Sequence, residues 1–270
     1  MYGAILGDII GSQYEWTRSK RYDFPLFTDA CRFTDDTLAT LAVAEALALR
    51  EGRWYEADFP RFLVMRMVRF GREYPDVGWG EGFYRFLTED HTPYGSFGNG
   101  AAMRVSPVGW VAENEEEVRA LSRIVTEVSH DHPDAVLAAE AVAMAIYLAR
   151  EGSPKAEIRA RMEEYYPVLR GLTVDAIRPT YEIDLSCEGS VPEAILAALE
   201  ADDFEGAVRG AVSLGGDTDT QGAIAGSIAE ALYGIPDDLL DEGLSYLDEE
   251  LEPILYTFDA VRRARKTEFS

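Results

Sequence analysis

The chain has 270 residues, 47% of them hydrophobic, enough to bury one sizeable core, and its formal net charge is -24. So acidic a surface repels phosphate backbones and anionic lipid, which disfavours electrostatic binding to nucleic acid or to membranes. Its two cysteines, Cys31 and Cys187, have no paired spacing, which argues against a disulfide framework and suits a reducing, cytoplasmic compartment.

In chain order, the opening "MYGAILGDIIGSQYEW" has no basic leader and meets an aspartate at position 8, so it does not read as a secretory signal. Glycine and charge interrupt its apolar runs too early for a bilayer span. Residues 14–34 are rich in aromatics, contain Pro25, and read as a loop. "TLATLAVAEALALREG" (37–52) follows, apolar over most of its circumference and closed by Gly52, and is predicted to be a helix inside a bundle. A second loop region spans 74–110. "AVLAAEAVAMAIYLAREG" (135–152) repeats the buried-helix pattern, and a third loop is expected over 179–192. "QGAIAGSIAEALYGIP" carries Ile224, Ile228 and Leu232 on one helical face, a Gly-Ile-Pro stop, and small residues with Gly226 that permit close helix packing. The acidic "PDDLLDEGLSYLDEELEP" reads as solvated helical surface. Alternating strands are scarce and no βαβ rhythm is visible, so the fold class predicted is all-α, a single domain over 1–270.

Two short segments depart from this bland pattern. "RFTDDTLATLAVAEALA" (32–48) and "GGDTDTQGAIAG" (215–226) each place a Thr/Asp cluster where the chain enters an apolar helix. One helix cap needs one residue. Here Asp35 with Asp36, and Asp217 with Asp219, pair like charges beside an apolar core, where unneutralised carboxylates are costly. Arg32 is the main basic candidate nearby, whereas hard divalent cations suit a cage of carboxylate and hydroxyl oxygens. If the clusters meet, four negative charges balance two Mg²⁺ or Mn²⁺ ions, and Thr34 and Thr220 add neutral oxygens. The plain structural alternative is two overbuilt caps on separate helices. An EF-hand fails, because Asp217, Asp219 and Gly222 match loop positions 1, 3 and 6 but position 12 is Ile228.

Those signatures have company: "GAILGDIIGSQYE" at the start, "GSFGNGAAMRVSPVGW" in the middle, "SHDHP" before the 135–152 helix, and "SCEGSVPEAILAAL" ahead of the last motif. In that order, with "FTDDT" and "SLGGDTDTQGAIAGSIAEALYG", they span nearly the whole chain. The ordered set resembles the ADP-ribosylglycohydrolase family, which includes the dinitrogenase-reductase-activating glycohydrolases.

The resemblance implies a compact orthogonal helical bundle with two Mg²⁺ or Mn²⁺ ions at the base of a cleft. Carried onto matching positions, the implied metal ligands are Thr34, Asp35, Asp36, Asp217, Asp219 and Thr220. Glu15 matches an acidic residue near the metals and the scissile ribose and, with Asp35, is the implied proton-handling carboxylate. Without the family it reads as a solvent-facing charge at a helix end. The loop "YGSFGNGAAMR" (94–104) is implied to hold ADP-ribose through Ser96, Gly98, Asn99, Gly100 and Met103, with Phe97 stacking on adenine. Its glycines let successive backbone N–H groups form an anion-binding nest, although alone a Gly-rich turn is weak evidence of a ligand. His130 is implied to lie near the ribose or phosphate. The HxH spacing of His130 and His132 hints at zinc, yet no partner set is visible and Pro133 reads as a helix start, so His132 is taken as a local cap or loop anchor. Cys187 lacks an activating histidine and reads as packing.

The activity implied is metal-dependent hydrolysis of the glycosidic bond at ribose C1″ of an ADP-ribosyl conjugate, on a protein side chain or a small molecule, releasing ADP-ribose. Two rivals stand beside it. An all-α metal-dependent nucleotide pyrophosphohydrolase would cut the P–O–P bond, but such enzymes commonly carry clustered ExxE-type helical ligands, unlike these motifs. A noncatalytic ADP-ribose-binding or crystallin-like relative is disfavoured by the complete ligand set. Linkage preference falls to the rim loops around 14–33 and 179–190.

Overall fold

The computed structural model describes residues 1–267. Its helices are α1 (Tyr2–Ser12), α2 (Asp35–Leu49), α3 (Phe59–Glu73), α4 (Glu81–Thr88), α5 (Gly100–Met103), α6 (Ser106–Val111), α7 (Glu115–Glu127), α8 (Pro133–Arg150), α9 (Lys155–Tyr165), α10 (Val174–Ile177), α11 (Cys187–Glu200), α12 (Phe204–Val212), α13 (Thr218–Tyr233), α14 (Asp237–Leu244) and α15 (Glu252–Thr267). Among the described residues there is no β-strand, only an isolated antiparallel bridge between Gly98 and Ser186. The all-α expectation holds. Among the described residues no helix is long and apolar enough to cross a membrane.

The helices with apolar residues all round lie inside. On α8, both the face through Ala135, Ala138, Val142 and Ala149 and the face through Val136, Ala143 and Met144 are buried, and α2 and α13 are buried almost as fully. Around them sit one-sided helices such as α7, whose Val118, Leu121 and Val125 face inward. Asn114 accepts the Glu117 N–H at the start of α7, and three glutamates in that first turn favour the positive end of the helix.

Two expected loops are shorter than the sequence suggests. The 74–110 stretch contains α4, α5 and α6: Phe83, Phe86 and Leu87 give α4 an inward face, and Pro107 sits at the start of α6, where no amide is needed. The 179–192 loop ends at Ser186, whose Oγ accepts the Gly189 N–H, and α11 carries Pro192 inside it. The breakers in "SCEGSVPEAIL" are outweighed by that cap and by burial of Val191, Ala194 and Ile195.

The contact that organises the rest joins the two ends of the chain. Gly3, Gly7 and Gly11 recur every four residues on α1 and face Gly226, Gly222 and Thr218 on α13. A Cβ placed on them would lie 2.1, 2.0 and 2.1 Å from the carbonyl oxygens of those three residues. The fit is reciprocal, since a Cβ on Gly222 would lie 2.4 Å from the Gly7 carbonyl oxygen. The two helices therefore touch backbone to backbone, and Thr218 Oγ1 donates to the Gly11 carbonyl at 2.8 Å where the seam ends. This brings the "DTDT" turn against the residues that follow α1.

Candidate functional site

Asp8, wholly buried on α1, builds one half of the site. Its carboxylate accepts from the Thr34 N–H (2.9 Å), the Thr34 hydroxyl (2.8 Å), and the N–H and hydroxyl of Thr37. It thereby satisfies the orphan donors at the start of α2 from another helix, leaving Asp35 and Asp36 free of capping duty. Thr34 is the N-cap residue, accepting the Asp36 N–H at 3.3 Å. Asp8→Asn would replace one acceptor oxygen with a donor facing N–H groups. The expected result is a loss of about 2–3 kcal/mol in urea unfolding together with weaker divalent-cation binding. Unchanged values of both would contradict this role.

The other half comes from the turn into α13. Gly215 holds φ +62°, a left-handed conformation suited to glycine, and there a Cβ would lie 2.9 Å from the Arg18 carbonyl. Asp217 occupies the N-cap position but makes no capping bond. Its Oδ2 instead accepts from Asn99 Nδ2 at 2.7 Å. Thr220 Oγ1 donates to Asp36 Oδ2 at 3.2 Å across 184 residues of sequence, so the two Thr/Asp clusters do meet. Glu15, in the turn after α1, completes the arrangement: carboxylate oxygens of Glu15, Asp217 and Asp219 lie within 4.8 Å of one another.

Among the described residues none of Asp8, Glu15, Asp35, Asp36, Asp217 or Asp219 forms an ion pair with a basic side chain; Arg32 is exposed and only eases the charge of Glu15 from a distance. Buried Asp36 Oδ1 has no hydrogen-bond partner. Burial, then the charge of Asp219, pushes Asp217 up to about 8. Burial, then Asp8 and Glu15, pushes Asp219 to about 7, and burial with Asp219 raises Asp35 and Asp36 well above the ordinary carboxylate range. Hard oxygen donors, excess negative charge and an unsatisfied buried carboxylate oxygen fit a divalent cation.

These carboxyls bind protons more tightly folded than unfolded, so between about pH 4 and pH 8 the folded state holds more protons and stability falls as pH rises. Buried His130, held well below its ordinary value, and the buried Met1 amino group, which burial lowers to about 6, work the other way, against the raised carboxyls of Asp8, Asp35, Asp36, Glu193, Asp217 and Asp219. In chelator, Tm is expected to drop from about pH 5 to about pH 8, and added Mg²⁺ or Mn²⁺ should restore it most at the alkaline end, because the ion competes with protons. Melting curves check this; a Tm in chelator that climbs through that window would refute it.

The 94–104 loop lies beside these carboxylates, since Asn99 reaches Asp217 and the Met103 sulfur lies 3.9 Å from Thr220 Oγ1. Three amides of the expected nest are committed to partners within the protein. Gly95 N–H donates to Asp131, Gly98 N–H to Ser96 Oγ, and Asn99 N–H to the Leu185 carbonyl. The Cys187 N–H returns to the Phe97 carbonyl and its thiol to the Gly98 carbonyl, so one loop amide and two loop carbonyls stitch the loop to the 185–187 segment. Burial pushes the Cys187 thiol up to about 12, consistent with a packing residue. Ser96 is half-buried, Met103 buried, and Phe97 exposed with its ring edge-on to His132. His132 caps α8 by accepting the Asp134 N–H. His130 is buried beside Gly98 and Gly100, its ring edge-on to Tyr94. Sequence reasoning missed Asp8 as part of this site. The signal was present as the one charge within an otherwise apolar buried helix.

Residues 1–266 match the family profile described as ADP-ribosylglycohydrolase. The chain is 28% identical to the ADP-ribosylhydrolase ARH3 of Homo sapiens, covering 86% of this chain and 84% of that protein. It is 30% identical to the ADP-ribosyl-[dinitrogen reductase] glycohydrolase of Rhodospirillum rubrum, covering 82% of this chain and 75% of the relative. A solved structure titled ADP-ribosylglycohydrolase-related protein complex superposes with a TM-score of 0.71 at 27% identity, over 97% of this chain and 94% of the other. With a profile match from end to end and the same all-helical architecture, the chain belongs to the ADP-ribosylglycohydrolase family.

Proposed function

We propose that this protein hydrolyses the glycosidic bond at ribose C1″ of an ADP-ribosyl conjugate, on a protein side chain or a small molecule, and releases ADP-ribose. Family membership supports hydrolysis of ADP-ribose conjugates as a class. The observation that carries the reading is the meeting of Asp35 and Asp36 with Asp217 and Asp219 beside the 94–104 loop, with no basic side chain among the described residues paired to any of them. Thr34, Asp35, Asp36, Asp217, Asp219 and Thr220, joined by Glu15, would hold two Mg²⁺ or Mn²⁺ ions. Bound there, they supply Lewis acidity and charge neutralisation at the reacting bond.

The chain's own groups do the rest. Glu15 is half-buried, and burial with the Asp217 charge raises its pKa, so its carboxylate is the group placed to take a proton from the attacking water; Asp35 is the other. Asn99 fixes the Asp217 carboxylate through its amide and is a positioning residue in this arrangement. Ser96, Gly98, Gly100, Met103 and His130 border the space for the ribose and phosphates, and exposed Phe97 offers a ring face to adenine. The test is incubation with ADP-ribosyl-arginine, ADP-ribosyl-serine and O-acetyl-ADP-ribose, with and without EDTA. Release of intact ADP-ribose that EDTA abolishes is expected. No release from any conjugate would overturn the proposal, and AMP with ribose phosphate would reassign the reaction to the pyrophosphate bond.

A further inference from the structure

Arg104 is wholly buried, yet among the described residues it pairs with no carboxylate. Its Nη2 donates to Ser129 Oγ at 2.7 Å and to the Thr126 carbonyl at 3.4 Å, its guanidinium lies 5.2 Å from the centre of the Phe83 ring, and Nε and Nη1 have no partner. A cation left this incompletely satisfied is expensive. What it touches is the base of His130, because Ser129 Oγ lies 2.8 Å from His130 Nδ1.

The donor and acceptor inventory of this buried row leaves one satisfied arrangement. Arginine only donates, so the Ser129 oxygen accepts on that side. The Ser129 hydroxyl is buried, and its hydrogen has one acceptor among the described residues, His130 Nδ1. Nδ1 is therefore the ring nitrogen without a proton, and Nε2 carries it. Burial, with the Arg104 charge second, holds the ring neutral.

Nε2 makes no hydrogen bond among the described residues and faces two glycines. A Cβ on Gly100 would lie 3.3 Å from it and one on Gly98 4.0 Å. Neither glycine has a positive φ, so the backbone does not demand them there. Their missing side chains leave Nε2 uncrowded on that side, where a methyl on Gly100 would press against it. We infer that Arg104 and Ser129 are positioning residues that lock His130 as an Nε2–H donor and aim it, past Gly98 and Gly100, at an acceptor oxygen of the bound ligand. In a loop whose Gly95, Gly98 and Asn99 amides are already committed, this is a directional donor that adds no charge. Only the ligand's identity, ADP-ribose, rests on the proposed function.

The test uses ¹⁵N-histidine-labelled full-length protein and long-range ¹H–¹⁵N NMR, with ADP-ribose affinity by calorimetry. Wild type is expected to show His130 protonated at Nε2 alone; a ring protonated at Nδ1, or cationic at neutral pH, overturns the inference. Ser129→Asp puts an acceptor-only carboxylate between Arg104 and Nδ1 and is expected to move the proton to Nδ1 and weaken ADP-ribose binding about tenfold, one lost hydrogen bond. Gly100→Ala leaves the tautomer in place and crowds Nε2, with a similar loss expected. If Ser129→Asp fails to fold, the wild-type spectrum and Gly100→Ala still decide. Wild-type affinity retained by Gly100→Ala overturns the donor role. Absence of ADP-ribose binding by wild type with an Nε2-protonated ring would overturn the proposed function and uphold the lock.

Discussion

Asp217→Asn is expected to abolish metal-dependent turnover while making the metal-free protein more stable. Asp217 shares a buried site with Asp219, and that neighbour and its own burial push it up to about 8. An amide of the same shape still accepts the Asn99 hydrogen bond but brings no charge, so the repulsion is relieved. Relief of about 1 kcal/mol is expected at pH 8, which at this chain length is roughly 2–4 °C in Tm. Activity moves the other way. Loss of a proposed ligand should reduce metal affinity and kcat/KM by more than about a hundredfold, the upper end of what losing a mere outer partner costs. Melting curves in chelator and a metal titration of turnover check the two halves. A variant with full activity and metal affinity would remove Asp217 from the proposed cation site.

The second large effect lies away from the carboxylates. Gly7→Ala adds one methyl group that would sit 2.0 Å from the Gly222 carbonyl oxygen, and the clashing atom is backbone, which cannot rotate away. The expected loss is at least about 3 kcal/mol, the upper range for overpacking. Because the seam also sets where α13 begins, surviving folded protein should bind divalent ions poorly although every ligand is present. Gly80→Ala provides the contrast: the glycine is exposed and nothing lies within 4 Å of the added Cβ, so a loss of at most about 1 kcal/mol is expected, from alanine at the N-cap of α4. Urea unfolding of both variants distinguishes them, and equal stabilities would contradict the seam's role.

The acidic core of the site was legible because its cost was legible. Like charges in "TDDT" and "DTDT" stand beside apolar helices, and that local conflict is readable without knowing the fold. That the clusters approach each other could only be supposed until Thr220 was found donating to Asp36. Asp8 was harder, since a lone aspartate in a helix is unremarkable until its four donors on α2 are known. The commitment of three nest amides went unread for a related reason. Whether the amide of Asn99 is free depends on the Leu185 carbonyl, far away in sequence, and glycine spacing carries no information about that partner. The short helices α4 to α6 and the early start of α11 went unread because proline and glycine mark turns locally, while burial that overrides them is a tertiary effect.

The glycine seam between α1 and α13 also has a consequence in time. During synthesis, Asp8, Glu15, Asp35 and Asp36 leave the ribosome long before Asp217 and Asp219, and the helix that holds α1 in register is among the last parts made. No cation cage can close around the early carboxylates alone. Capture of the proposed cations would thus report that α1 and α13 have joined, and the half-made protein keeps its acidic residues in water until the last helices arrive to bury them.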